Sequence, residues 1–171
     1  MRMIYQERKH RLPADHYIGR VCVAFTLCIE AGARPFTQTR VVDVCTAFMS
    51  EAFTKYRCVC PAYVFMPDHQ HVIATGLDDD ADTWRAMVLY KQKSGFWFSR
   101  HMPDTQWQKD FYDHILRTEI EILPHVRYIL ENPVRNGLVD SWEQYPFKGS
   151  IGCELSDVLT GMYLVGREKR H

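Results

Sequence analysis

A two-residue turn, Pro67-Asp68, separates two apolar runs rich in β-formers, Arg57 to Met66 and His69 to Thr75. So short a connection joins only antiparallel neighbours, and this part of the chain is therefore expected to be a β-hairpin. Successive strand side chains point to opposite faces, which sends His69 and His71 one way and Gln70 the other. Two neutral imidazoles converging on one face can grip a single divalent ion. A bare His-x-His is just as much the mark of two ordinary half-exposed strand residues, so the rest of the chain has to choose.

Around the hairpin the pattern alternates between strand and helix. Arg20 to Ile29, rich in Val, Phe, Thr and Cys, reads as a first strand. Thr37 to Tyr56 carries Val41, Val44, Cys45, Phe48, Met49, Ala52 and Phe53 at helical spacing. After the acidic loop Leu77 to Asp82, Thr83 to about Arg100 reads as a second helix. Gln106 to Leu116 reads as a fourth strand, and Glu119 to Asn132 as a helix that Pro133 stops. Trp142 to Phe147 is expected to be irregular, and Leu155 to Val165 a short helix. The order β-α-β-β-α-β-α predicts an α+β fold, a ferredoxin-like (split βαβ) antiparallel sheet with helices packed on one face. A single domain would span residues 1–171, with a basic N-terminal arm over about residues 1–19 and a C-terminal extension over about residues 140–171.

Composition excludes disorder: 46% of the residues are hydrophobic and 13% aromatic, enough for a real core. The 21 basic and 21 acidic residues cancel, so a nucleic-acid binder of this balance must separate its charges in space. Bases bunch at Arg8, Lys9 and Arg11 and again at Arg167, Lys169 and Arg170, while acids bunch at Asp78, Asp79, Asp80 and Asp82. The basic ends suit phosphate contacts, and each cluster equally suits a solvated terminus or loop. Six cysteines occur without a C-x-x-C pair, a signal-peptide pattern or a membrane-length apolar stretch. Buried free thiols in a reducing cytoplasm, with no membrane partner, are expected.

An ion held by His69 and His71 would leave positions open for a phosphate and for a third ligand. Attack on a phosphodiester by the protein itself requires a nucleophilic side chain within reach of the phosphorus. Tyr128 and Asn132, four residues apart, share a helix face and could both point at the metal. Spacing alone, in a chain with nine tyrosines, favours Tyr128 as a packing residue, and it leaves Tyr112 an equal rival as nucleophile.

Three blocks carry a resemblance. Met66-Pro67-Asp68-His69-Gln70-His71-Val72-Ile73 resembles the histidine–hydrophobic–histidine motif of the single-tyrosine (Y1) HUH transposases. Trp107 to Arg117 and Tyr128 to Val139 resemble two further blocks, in the form found in REP-associated tyrosine transposases, relatives of the IS200/IS605 transposases. The stretch Arg8 to Pro13 and the strand after Gly19 fit the start of that branch, so the resemblance runs from about Arg8 to Phe147. It implies a metal-dependent enzyme acting on single-stranded DNA. By position it makes Tyr128 the nucleophile, with Tyr112 falling outside the motif. It makes His69, His71 and Asn132 the metal ligands, with Mg²⁺ or Mn²⁺ as cofactor. It implies hairpin-forming single strands (REP-like palindromes) as partners, with the basic residues Arg8, Lys9, Arg11, Arg167, Lys169 and Arg170 on their phosphates. The chain would act as a monomer or a homodimer. One departure is visible: Gln70 stands where the family has a bulky apolar residue.

The activity expected is therefore cleavage and rejoining of single-stranded DNA through a 5′-phosphotyrosine. Two other readings use the same face: a ferredoxin-like nucleic-acid-binding module without chemistry, and a metal-dependent phosphodiesterase in which water attacks. A covalent protein–DNA adduct separates the first from both.

Overall fold

The structure is a computed structural model that describes residues 12–162. Five strands form one sheet: β1 (Cys22–Cys28), β2 (Cys58–Met66), β3 (His69–Gly76), β4 (Tyr112–Leu116) and β5 (Lys148–Ile151). Two long helices, α1 (Thr39–Lys55) and α2 (Thr83–His101), are followed by α3 (Glu119–Leu130), α4 (Asn132–Arg135) and α5 (Leu155–Leu159). The sheet order is β4-β1-β3-β2-β5. All four neighbouring pairs are antiparallel. β1-α1-β2-β3-α2-β4 is the ferredoxin-like, split-βαβ core expected from the element order.

Alternation along β3 gives the sheet two dry faces. Gln70, Val72 and Ala74 point to α1 and α2, where Met49, Phe53, Met87 and Tyr90 are completely buried. Ile73 points the other way, to a second core with Ala24, Val64, Val126 and Ile129. The expectation of helices on one face thus holds for α1 and α2, while α3 and α5 cover the other. The reason lies in the sequence of α3, whose Ile122, Val126, Ile129 and Leu130 form an apolar stripe that has to be buried somewhere. Burying each such aliphatic side chain stabilises the fold by about 1.5–3 kcal/mol.

Three local expectations change. Helical backbone resumes after one residue, so Asn132 and Pro133 open α4 rather than end the helix. Proline is tolerated in a first turn because its missing N–H has no partner to lose there. Strand β4 begins only at Tyr112; Trp107 makes an isolated bridge to Ile29 and is 8% exposed. Its indole Nε1–H donates to Ser94 Oγ at 2.8 Å, which ties it into the core under α2. Residues 148–151, expected within a C-terminal extension, add β5 to the edge beside β2.

The acidic loop after β3 is tied down. Arg57 pairs with Asp78 at 2.6 Å and with Asp80 at 3.7 Å, and Asp82 Oδ1 caps α2 by accepting from the Arg85 N–H at 2.8 Å. All six cysteines are free thiols, and burial pushes Cys45 and Cys58 up to about 12, which suits packing and not reactivity. Among the described residues no helix is long and apolar enough to cross a membrane. Arg8, Lys9, Arg11, Arg167, Lys169 and Arg170 lie outside the described residues.

Candidate active site

His71 sits in the middle of the sheet, directly opposite Thr26 of β1 and Val64 of β2, and is 6% exposed. Its Nδ1 lies 3.0 Å from Thr26 Oγ1, and its Nε2 accepts from the Asn132 Nδ2–H at 2.6 Å. A neutral ring satisfies both contacts in one tautomer, with the proton on Nδ1 donated to Thr26 and the lone pair on Nε2 facing Asn132. The ring stays neutral in all ordinary buffers. Burial pulls its pKa down to about 3, and His69, His125 and Arg135 reinforce the shift.

His69 repeats the arrangement one step along the strand. Its Nδ1 is held by the carboxylate of Asp68 at 2.7 Å, leaving Nε2 for a ligand. The two rings stand nearly perpendicular, 88° apart, with centroids 4.9 Å from each other. Each imidazole is thus anchored through Nδ1 to a separate oxygen, the arrangement that orients metal-binding histidines. Asp68 is half legible in the sequence, as the turn residue beside His69; Thr26 becomes a partner only through the β1–β3 register.

Helix α3 and α4 supply the roof. His125, Tyr128 and Asn132 follow one another at spacings of three and four, so they line one side. Asn132 is fixed by Asn136, whose Nδ2 donates to its backbone oxygen at 2.9 Å and to its Oδ1 at 2.7 Å. Tyr128 is half-buried against the second core, with the Arg135 guanidinium 4.1 Å from its ring centroid. Arg135 also donates from Nη2 to the Tyr128 backbone oxygen at 2.7 Å. His125 stacks toward His114 of β4, centroids 6.3 Å apart, and burial with the His114 charge lowers its pKa to about 4.

Tyr112 shares this face. It pairs with Thr26, which pairs with His71, so it stands two strands away in the same cross-sheet row, roughly 10 Å at normal strand spacing. Gln70 turns to the opposite core, fully buried, as its position between the histidines requires.

Among the described residues no group of three or more His, Cys, Asp or Glu converges. Two oriented imidazole nitrogens with one amide form an incomplete shell, which fits an ion that completes its coordination with a phosphate and water. Rotating the Asn132 amide by half a turn would present Oδ1 in place of Nδ2 toward His71.

The connectivity and sheet order define a ferredoxin-like α+β protein whose second face carries a His-x-His pair under a tyrosine-bearing helix. A solved structure of a REP-associated tyrosine transposase bound to a REP hairpin superposes with a TM-score of 0.69 at 22% identity, covering 84% of this chain and 82% of the other. A Haemophilus influenzae protein assigned to the REP-associated tyrosine transposases is 24% identical over 132 residues, 64% of this chain and 73% of its own length. The REP-associated tyrosine transposase of Escherichia coli K12 is 34% identical over 105 residues, 60% of this chain and 58% of that protein. No family model matches. In sequence the chain is similar to these two REP-associated tyrosine transposases, and in fold to the solved one.

Proposed function

We propose that this chain is a transposase that binds hairpin-forming single-stranded DNA, and that it cuts and rejoins the strand through Tyr128. The observation that carries the reading is the pair of anchored imidazoles. Thr26 and Asp68 hold His71 and His69 by Nδ1, Asn132 sits on the exposed lone pair of His71, and Tyr128 lies one helical turn before Asn132. The relatives' names and the hairpin in the solved neighbour support the DNA class of substrate.

His69, His71 and Asn132 are the residues that would hold Mg²⁺ or Mn²⁺, and such an ion polarises a phosphate and neutralises charge on its oxygens. Everything else is the work of the chain. Tyr128 lies one helical turn before Asn132, whose amide meets His71, and this supports an attacking oxygen supplied by the chain rather than recruited from solvent. Tyr128 Oη bonds to phosphorus, the bond to the 3′-oxygen breaks, and the product is a 5′-phosphotyrosine with a free 3′-hydroxyl. The basic residues Arg8, Lys9, Arg11, Arg167, Lys169 and Arg170 add phosphate contacts.

The test is direct. Incubation of the protein with Mn²⁺ and a labelled single strand carrying the palindrome next to its own gene should give a covalent adduct on a denaturing gel. Binding without an adduct favours the non-catalytic module, and metal-dependent cutting without an adduct favours attack by water.

A further inference from the structure

Among the described residues, Arg135 is the cation that lies against the Tyr128 ring. Its setting is rigid: Pro133 occupies the first turn of α4, the Arg135 N–H donates to the Glu131 oxygen at 3.0 Å, and Gly137 ends the turn at φ +69°. Its guanidinium lies over the Tyr128 ring with 4.1 Å between carbon and centroid, and Nη2 donates to the Tyr128 backbone oxygen at 2.7 Å. Those contacts use one ring face and one of the five guanidinium donors. Among the described residues no carboxylate lies within ion-pair distance of Arg135, and the side chain is exposed.

An exposed, unpaired guanidinium stacked on a tyrosine invites an anion that both can touch. We propose that Arg135 binds the scissile phosphate, donating to its non-bridging oxygens while its stacked plane holds the Tyr128 ring for attack. The inference rests on Tyr128 as nucleophile and deepens that reading. As Tyr128 Oη bonds to phosphorus and the P–O3′ bond breaks, the phenolic proton passes to water and the 3′-oxygen takes one from water. Charge builds on the two non-bridging oxygens meanwhile, and planar, bidentate N–H donors meet it better than a lysine ammonium. Rejoining retraces the path, so the same cation serves both directions.

A charge role and a purely structural role part company on a neutral substrate. The cut made by the wild-type protein is mapped first, and the strand is then resynthesised with a methylphosphonate at that phosphate, which replaces one charged oxygen by a methyl group. On the natural phosphate, Arg135→Ala should slow adduct formation by roughly a hundredfold or more. On the methylphosphonate the same variant should lose less than about tenfold relative to wild type, because little charge is left to neutralise. Arg135→Lys keeps the charge without the planar fork and should fall between wild type and Arg135→Ala on the phosphate. Equal losses on both substrates, with an unchanged melting temperature, would overturn the proposal and leave Arg135 a helix-end clamp. No loss on either would overturn it outright. Failure of the wild type to form any adduct would instead strike at Tyr128 itself.

Discussion

The Tyr90 hydroxyl donates to Gln70 Oε1 at 2.7 Å in the core opposite the histidines. Gln70 Nε2 meets the Met49 sulfur at 3.6 Å, so the one polar side chain between His69 and His71 is satisfied without touching them. This is how the strand accommodates a glutamine in an otherwise apolar core. Both groups are completely buried, and removal of one strands the other. Tyr90→Phe should cost about 1–3 kcal/mol of stability. Tyr90→Phe with Gln70→Leu should cost less than the two single changes added together. Urea denaturation of the set checks this, and a strictly additive double mutant would disprove the coupling.

Loss of the histidines should act on metal before fold. His69→Ala with His71→Ala is expected to abolish Mn²⁺ binding by calorimetry and, like chelation by EDTA, to end cleavage. Asp68→Asn keeps the ligand but weakens its orientation, so affinity should drop by about 10–100-fold. Undiminished Mn²⁺ binding in the double variant would place the site elsewhere.

Tyr128→Phe removes only an oxygen. Arg135 can still stack on the ring, so hairpin affinity and melting temperature should stay close to wild type while the covalent adduct disappears. Tyr112→Phe is a demanding control because Tyr112 stands on the same sheet face. It should retain the adduct. A phenylalanine at 128 that still forms one, or a loss confined to Tyr112→Phe, would move the nucleophile to β4.

Two histidines make the fold sensitive to acid. In the unfolded chain each titrates near about 6.5; in the folded protein burial holds His71 to about 3 and His125 to about 4. Between these limits the unfolded state binds protons that the folded state refuses. Stability is therefore fully present above about pH 6.5 and falls as pH drops toward 4. The loss is at most about 1.4 kcal/mol per pH unit for each group. Denaturation midpoints at pH 7 and pH 5 should show it, and His125→Phe should flatten the slope. A variant with the original slope would clear His125 of any part in it.

Much of the frame was legible because it is local. The Pro67-Asp68 turn dictates the β2–β3 hairpin, and the apolar spacing of α1 and α2 needs no tertiary help. What escaped depends on partners distant in sequence. Lys148–Ile151 is a short, half-exposed edge strand with a glycine and a serine, so nothing in its pattern announces pairing. Position 149 favours glycine because the Tyr63 ring passes so close that a Cβ there would lie 2.7 Å from its hydroxyl. Trp107 was drawn out of β4 by the Ser94 hydroxyl on α2.

The site divides in the same way. His69, His71, Tyr128 and Asn132 carried their spacing in the sequence, and the fold brings Asn132 onto His71. Thr26 was invisible, being 45 residues from the histidine it anchors. Arg135 carries no such signal, because an arginine seven residues from a tyrosine means nothing until the chain turns at Glu131.

Strand β3 is a party wall between two dry rooms. One row of its side chains is furniture for α1 and α2, the other carries the imidazoles, and the backbone between them is a single peptide thick. A core change at Met49 or Tyr90 that shifts Gln70 by a fraction of an ångström must shift the rings of His69 and His71 with it. The spacing of the two imidazoles is thus set from behind, by residues of the opposite core. Variants selected for altered cutting should therefore turn up in the far core as well as around His69 and His71.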